Sequence, residues 1–297
     1  MMARGATGTG GGGEAAPSRL RRLPLRWSLR TMLLLLTAVA LGLGWYCNRA
    51  QRQQRAVAAI VQQGGRVLYT HQLPGRTTDP PWLSRYLGMD YADTLGNVEL
   101  IGSQFDDDDL VLLDDLPGVQ WIRLHETKVT GRRFDCISRQ TGLTWLVVKD
   151  SPIRGDALRH LRPLHRLETL YLEGTAIGDA DLAHLKGLTE LKDLSLNETQ
   201  VGDAGMVSVA ELTKLKELHL EQTRLTDKGL VTLAPLQKLE RITVYGTAIT
   251  DESVGVLLSW TLKDAAVGQT GITPAGLKRL KAGAAGQSVV GIPESNP

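Results

Sequence analysis

The chain has 297 residues, 42% apolar, 22% charged and 5% aromatic, with two cysteines. The ordinary charged fraction excludes wholesale disorder, and two cysteines with no CxxC spacing exclude a disulfide-stapled scaffold and a zinc finger. The net charge of +2 hides an asymmetry: residues 1–66 hold ten Arg and one acid, Glu14, whereas the remainder holds 24 basic and 31 acidic residues. An acidic body argues against a nucleic-acid partner, because phosphate binding needs a basic footprint.

Residues 1–30 read as a disordered basic tail. The glycines at 10–13 and their Ala, Thr and Ser neighbours have little to bury, and Arg19, Arg21, Arg22, Arg26 and Arg30 follow. Residues 31–47 carry no charge. Seventeen residues is the lower limit for a spanning helix, and snorkelling of Arg30 extends the usable segment back to Trp27. Trp27, Trp45 and Tyr46 suit the interfacial aromatic belt. A single transmembrane helix over 31–47 is expected. Ala38-Val39-Ala40 satisfies the small-residue rule for signal cleavage, but would leave a hydrophobic stretch of only about seven or eight residues. Lipid attachment at Cys47 is disfavoured by bulky Trp45 and Tyr46. Five arginines before the segment, against Arg49, Arg52 and Arg55 after it, place the N-terminus in the cytoplasm and the body outside it.

Residues 48–94 read as a stalk helix and an N-terminal cap: a helix over 48–63 ended by Gly64 and Gly65, a strand Arg66–Tyr69, and a short helix over 82–87 after Pro80 and Pro81. From Leu95 the chain repeats. Units start at Leu95, Val119, Leu143, Leu167, Leu191, Leu215, Leu239 and Leu262, six steps of 24 residues and one of 23. Offsets 0, +3, +5, +10, +15 and +18 are apolar in all eight units. Positions +3 and +5 alternate with polar neighbours, as in a strand with one buried face. Positions +15, +18 and +21 are spaced as on one side of a short helix. Asp179, Asp203, Asp227 and Asp251 recur at +12, where a carboxylate can cap that helix. Offset +8 is always Ser or Thr, able to bond turn backbone and buried polar groups between coils. Residues 282–297 read as a disordered tail.

The stretch LETLYLEGTAIGDADLAHLKGLTE (167–190) resembles the leucine-rich repeats, and the resemblance covers residues 95–281 as eight units. It implies an α/β solenoid, a curved parallel sheet with short convex helices. With its basic tail, short span and Gly-Gly-ended helix, the chain also resembles bacterial single-pass membrane-anchored leucine-rich-repeat proteins.

In such a solenoid, offsets +2, +4 and +6 line the concave face. Neighbouring strands lie about 4.8 Å apart, so Trp121 and Trp145 are expected side by side, with Arg123, His125 and Tyr171 beside them. Exposed aromatics with Arg have the composition of a binding hot spot. The competing reading is a solvated sheet face whose tryptophans fold over a flank. Glu217, His219, Glu221, Arg241 and Tyr245 form a reserve cluster. Cys136, His160 and His184 share offset +17, but Ser208, Thr232 and Val256 continue that column, so helix packing is favoured over metal ligation. The acids at 106–109 lack a calcium-loop pattern and read as a solvated first helical turn.

No GxSxG, HExxH, Walker or dinucleotide motif is present, and neither a cofactor nor a metal site is expected. The chain reads as a non-enzymatic, membrane-anchored protein binding a protein, peptide or glycan through its concave face. A structural spacer of the cell envelope is the alternative.

Overall fold

A computed structural model describes residues 28–72, 95–283 and 288–290. Residues 1–27 of the tail expected over 1–30, the short helix over 82–87 and most of the C-terminal tail lie outside the described residues, while Leu29 and Arg30 are helical rather than part of a disordered tail. The chain divides into two units between Tyr46 and Cys47.

Residues 31–47 and the expected stalk helix lie in one continuous helix, α1 (Leu29–Gln62), of 34 residues. Ser28 Oγ accepts the Thr31 N–H at 3.2 Å, a local cap for the first turn. The first half of α1 exposes Leu33, Leu34, Leu36, Leu41, Leu43 and Trp45, and α1 is long and apolar enough to cross a membrane. In its second half Ala50, Gln53, Ala56 and Ile60 are buried at spacings of three and four, one helical face. Gly64, at φ +88°, ends the helix, with Gly65 N–H returning to Ile60 O at 2.9 Å. A side chain at Gly65 would run into Ile60 and the Glu99 carbonyl, so the chain can turn this tightly against the first coil only without a β-carbon.

Ten strands then form one sheet in sequence order. They are β1 (Arg66–Tyr69), β2 (Leu95–Ile101), β3 (Trp121–His125), β4 (Trp145–Lys149), β5 (Thr169–Tyr171), β6 (Asp193–Ser195), β7 (Glu217–His219), β8 (Arg241–Thr243), β9 (Asp264–Ala266) and β10 (Ser288–Val290). Strand β1 pairs antiparallel with β2, and every later pair is parallel. Leu146, Leu170, Leu194, Leu218 and Ile242 are register partners, so each repeat stacks on the next without slippage. Of the 48 apolar slots read from the sequence, all but Leu277 are buried. The stack supplies the core that no single coil could form.

The return segments use two helix types, and unit 7 opens on a 3₁₀ turn, Asp251–Ser253, before its α-helix. Units 1, 3 and 4 use 3₁₀ turns, at Asp109–Asp115, Gly155–Leu161 and Asp179–Leu185. Short α-helices serve in α2 (Phe134–Ser138), α3 (Asp203–Val209), α4 (Asp227–Thr232), α5 (Val254–Ser259) and α6 (Pro274–Gly283). A spacing of three apolar residues suits the 3₁₀ period of 3.0 as well as an α-helical face.

Four expectations are corrected or narrowed. The +12 aspartates do not cap their own helices; they accept from the next coil. Gly202 N–H donates to Asp179 at 2.6 Å, Thr226 N–H to Asp203 at 2.8 Å, and Thr250 N–H to Asp227 at 2.8 Å. The acidic run at 106–109 belongs partly to this ladder: Asp107 is buried and accepts Thr130 N–H, Thr130 Oγ1 and Gly131 N–H. Burial is tolerated because backbone donors satisfy the carboxylate. At +8 the expected bonds to turn backbone are made, with Thr175, Thr199, Thr223, Thr247 and Thr270 donating to the +5 carbonyl of their own coils; the expected bonding between coils is confined, among the described residues, to Thr127 and Ser151, at 2.9 Å. Finally, the C-terminal tail is not wholly irregular. Helix α6 reaches Gly283, and Ser288–Val290 adds β10 to β9, because the last coil leaves an open edge of unpaired backbone groups.

Offset +7 carries no residue-type signature in the sequence. All eight residues there, Gly102, Glu126, Asp150, Gly174, Glu198, Gln222, Gly246 and Gln269, have φ between +49° and +104°. Each strand leaves the sheet through a left-handed residue, whatever its side chain.

Candidate functional site

The inward strand positions are consumed by the core, so the outward positions carry what chemistry the sheet can offer. Trp121 and Trp145 are register partners on β3 and β4. Their ring centroids lie 5.3 Å apart with the planes tilted by 49°, within the range of favourable aromatic pairs. Trp145 keeps 40% of its surface exposed, while Trp121 is half-buried. Tyr171 stands edge-on to Trp145 at 6.4 Å, and edge-on in turn to His219 at 6.4 Å. Four rings therefore run diagonally across the sheet from β3 to β7.

Ser195 on β6 lies between Tyr171 and His219 in register. It is an outward residue, yet it is fully buried and donates to Glu173 Oε1 at 2.9 Å. A small side chain between two rings is roofed over when those rings meet. Alternation of the strand marks it as solvated; the two flanking rings reverse that.

Of the five residues singled out from the sequence, the structure joins Trp121, Trp145 and Tyr171 in the strip. Arg123 and His125 follow Trp121 along β3. Arg123 faces Glu99 and Val147 across the sheet. His125 is turned to acids of the strand exits, 3.6 Å from Glu126 and 3.7 Å from Asp150. The reserve cluster splits as well: Glu217 and His219 adjoin the strip, and Arg241 is ion-paired to Glu217.

At the β6–β7 end the strip passes into a polar group. Tyr171 Oη donates to Asp193 Oδ2 at 2.6 Å. Burial, and then this bond to a carboxylate, raises the Tyr171 phenol far above its ordinary value. Burial likewise raises Asp193, reinforced by the charge of Glu217 and opposed by the Tyr171 hydroxyl. His219 Nε2 stands 3.7 Å from Asp193 Oδ1, and its Nδ1 meets Thr243 Oγ1 at 3.2 Å. Lys149 pairs with Glu173 at 3.0 Å, which raises the lysine. The face thus offers flat apolar rings bordered by acids, several already paired, and it suits recognition by stacking with polar contacts at the margin.

The convex column does not assemble. Cys136 is buried beside Asp114 and Arg133, His160 bonds Arg159, and His184 bonds Arg162. The group that does gather ligand atoms is Asp193, Glu217 and His219. Sequence reading missed it because its members sit at two different offsets on two strands.

Comparison with known proteins bears on the fold. A family profile described as Leucine Rich repeat matches residues 211–234. No curated protein sequence matches the chain. Among solved structures, internalin C2 of Listeria monocytogenes strain 4b F2365 aligns with a TM-score of 0.50 at 16% identity, over 68% of this chain and 86% of that one. A second internalin of that strain, inlF, aligns with a TM-score of 0.52 at 20% identity, over 73% of this chain and 58% of its own. Identities this low carry the fold alone. Eight coils in one register, a repeat profile matching one of them and two structural neighbours agree on the fold: the chain forms a leucine-rich-repeat solenoid.

Proposed function

We propose that this chain is a membrane-anchored recognition protein: α1 holds it at a bilayer, and the ring strip on the open sheet face binds a protein or peptide partner. The observation that carries the reading is Trp145, 40% exposed on the sheet and held between the tilted ring of Trp121 and the edge-on ring of Tyr171. The rings brace one another in place, which lowers the entropy lost when a partner docks, and large aromatics dominate interface energetics. A spacer has no use for this arrangement. The absence of catalytic motifs in the sequence supports a binding role over an enzymatic one.

The anchor rests on the unburied apolar half of α1. Six large residues there, Leu33, Leu34, Leu36, Leu41, Leu43 and Trp45, are each more than half exposed. In water each such side chain forgoes about 1.5–3 kcal/mol of burial, which a lipid environment restores. The arginine surplus on the N-terminal side sets the N-terminus in the cytoplasm.

The test is panning of a displayed peptide library on the detergent-purified full chain, with the W121A/W145A chain as counter-selection. Peptides that bind the first and not the second support the reading; peptides that bind both equally place recognition elsewhere. A soluble mature form beginning near Leu41 would replace the anchor with a cleaved leader.

A further inference from the structure

Beside the ring strip, two carboxylates and an imidazole converge without hydrogen-bonding one another. Asp193 comes from β6, and Glu217 and His219 from β7; one potential ligand atom of each lies within 4.8 Å of the others. All three side chains are largely sheltered, with 17%, 27% and 22% of their surface exposed. Asp193 Oδ1 is buried and accepts no hydrogen bond among the described residues. It faces His219 Nε2 at 3.7 Å, beyond hydrogen-bond reach. A buried carboxylate oxygen left in that state requires an explanation.

The surroundings orient each group as a metal site would. Thr243 Oγ1 meets His219 Nδ1 at 3.2 Å. With Nδ1–H donating to that hydroxyl, the Nε2 lone pair is directed at the carboxylates, the usual role of a partner behind a ligating histidine. Tyr171 Oη holds Asp193 Oδ2 at 2.6 Å and leaves Oδ1 free. Arg241 engages one oxygen of Glu217, Oε1, and leaves the other. A tetrahedral zinc ion with bonds of about 2.0–2.2 Å keeps its ligand atoms about 3.3–3.6 Å apart. The Asp193–His219 separation is close to this already, and small side-chain rotations bring the third atom in.

We propose that Asp193, Glu217 and His219 form a divalent-metal site of the zinc type on the open sheet face, with a fourth position left to water or a bound partner. One imidazole and two carboxylates match the N/O preference of zinc. Arg241 is the built-in opponent: its charge lies on Glu217 and weakens the site. The proposal does not depend on the peptide-binding reading, since the ring strip can recognise a partner with the site empty.

Calorimetric titration of the metal-free full chain in detergent with zinc chloride tests it, alongside the visible absorption of the cobalt(II)-substituted protein. One zinc per chain and a cobalt spectrum of tetrahedral intensity are expected. H219Q and D193N should each lower the affinity by about 100-fold or more. T243V, which touches only the orienting bond, should lower it by about 10–100-fold. R241Q should raise it, a gain that misfolding cannot mimic, and H125Q should leave it unchanged. A wild-type chain and an R241Q chain that both take up no stoichiometric zinc overturn the proposal, as does an affinity that H219Q leaves untouched.

Discussion

The Asp227 carboxylate takes two hydrogen bonds from Thr250 of the following coil, one from the backbone N–H and one from the hydroxyl, both at 2.8 Å. Ser253 Oγ donates to the same group. Asp203 with Thr226 and Asp251 with Thr273 repeat the arrangement. The next coil makes room for it: a β-carbon at Gly229 would collide with Asp203 Oδ1, and one at Gly276 with Asp251 Oδ1. Carboxylate and glycine are thus a matched pair at Asp203–Gly229 and Asp251–Gly276, and at Asp227 the hydroxyl-bearing Ser253 takes the glycine's place.

Burial alone raises the Asp227 pKa, but the donations from Ser253 and Thr250 outweigh it and hold the group below its ordinary 3.8. A folded value below the unfolded one means that the ionised form stabilises the fold. That contribution is complete above about pH 4 and is lost as pH falls through the folded value. Asp227→Asn should therefore cost about 1.5–3 kcal/mol at pH 7, the range for hydrogen bonds to a charged group. The gap from wild type should close in acid. Urea unfolding of both chains at pH 7, 5 and 3 measures it, and a gap that stays constant with pH contradicts the ladder's electrostatic role.

Leu194 and Leu218 occupy the same inward slot of adjacent coils and are fully buried. Replacing either with Ala should cost about 2–5 kcal/mol. Ser195→Ala should cost less, about 1 kcal/mol, for the lost bond to Glu173. Denaturant midpoints for the three variants rank these directly. Equal losses at Leu194 and Ser195 would mean that the strand faces are misassigned.

At offset +7 the backbone is left-handed in every coil, so side chains there carry a conformational cost that glycine does not. Glu198, at φ +57°, is exposed. Glu198→Gly should leave stability level or raise it by up to about 1 kcal/mol. Gly174→Ala should lower it by more than that, because the new β-carbon would collide with Asp150 Oδ1. Thermal unfolding of the pair decides the matter; a clear loss in the Glu198 variant would show that its side chain, not its backbone, is what the turn uses.

For the anchor, the full chain should stay with membranes through alkaline carbonate washing. External protease should remove the repeats and spare about the first thirty residues, as the arginine bias of the flanks predicts. A chain released by carbonate counts against a spanning α1.

Period and register were legible from the sequence because burial imposes them: a leucine that must face the core recurs every 24 residues, and 47 of the 48 slots are buried. The adjacency of Trp121 and Trp145 followed from that register alone. What escaped was everything that depends on side chains leaning between columns. Tyr171 reaches past Ser195 to His219, and Asp193 and Glu217 approach from neighbouring strands, contacts that a table of offsets separates. The +12 aspartates are plain in the sequence, but a carboxylate before a helix has a local use there; its partner 23 residues later becomes visible only once the coils are stacked. The left-handed +7 position left no mark because five of its eight residues are not glycine.

The most direct measurement of recognition by the ring strip is the affinity of a selected peptide for the full chain and for its W121A/W145A variant, with thermal midpoints recorded on both. Truncating two outward rings should cost little stability, roughly the 0.5–1.5 kcal/mol of one aromatic pair together with some packing of half-buried Trp121, and lower the midpoint by only a few degrees. Binding should fall by at least about 30-fold per anchor, the equivalent of 2 kcal/mol each. A variant that keeps its midpoint and binds the peptide as tightly as the wild type contradicts the assignment of the strip as the binding site, and one that unfolds shows the tryptophans to be structural.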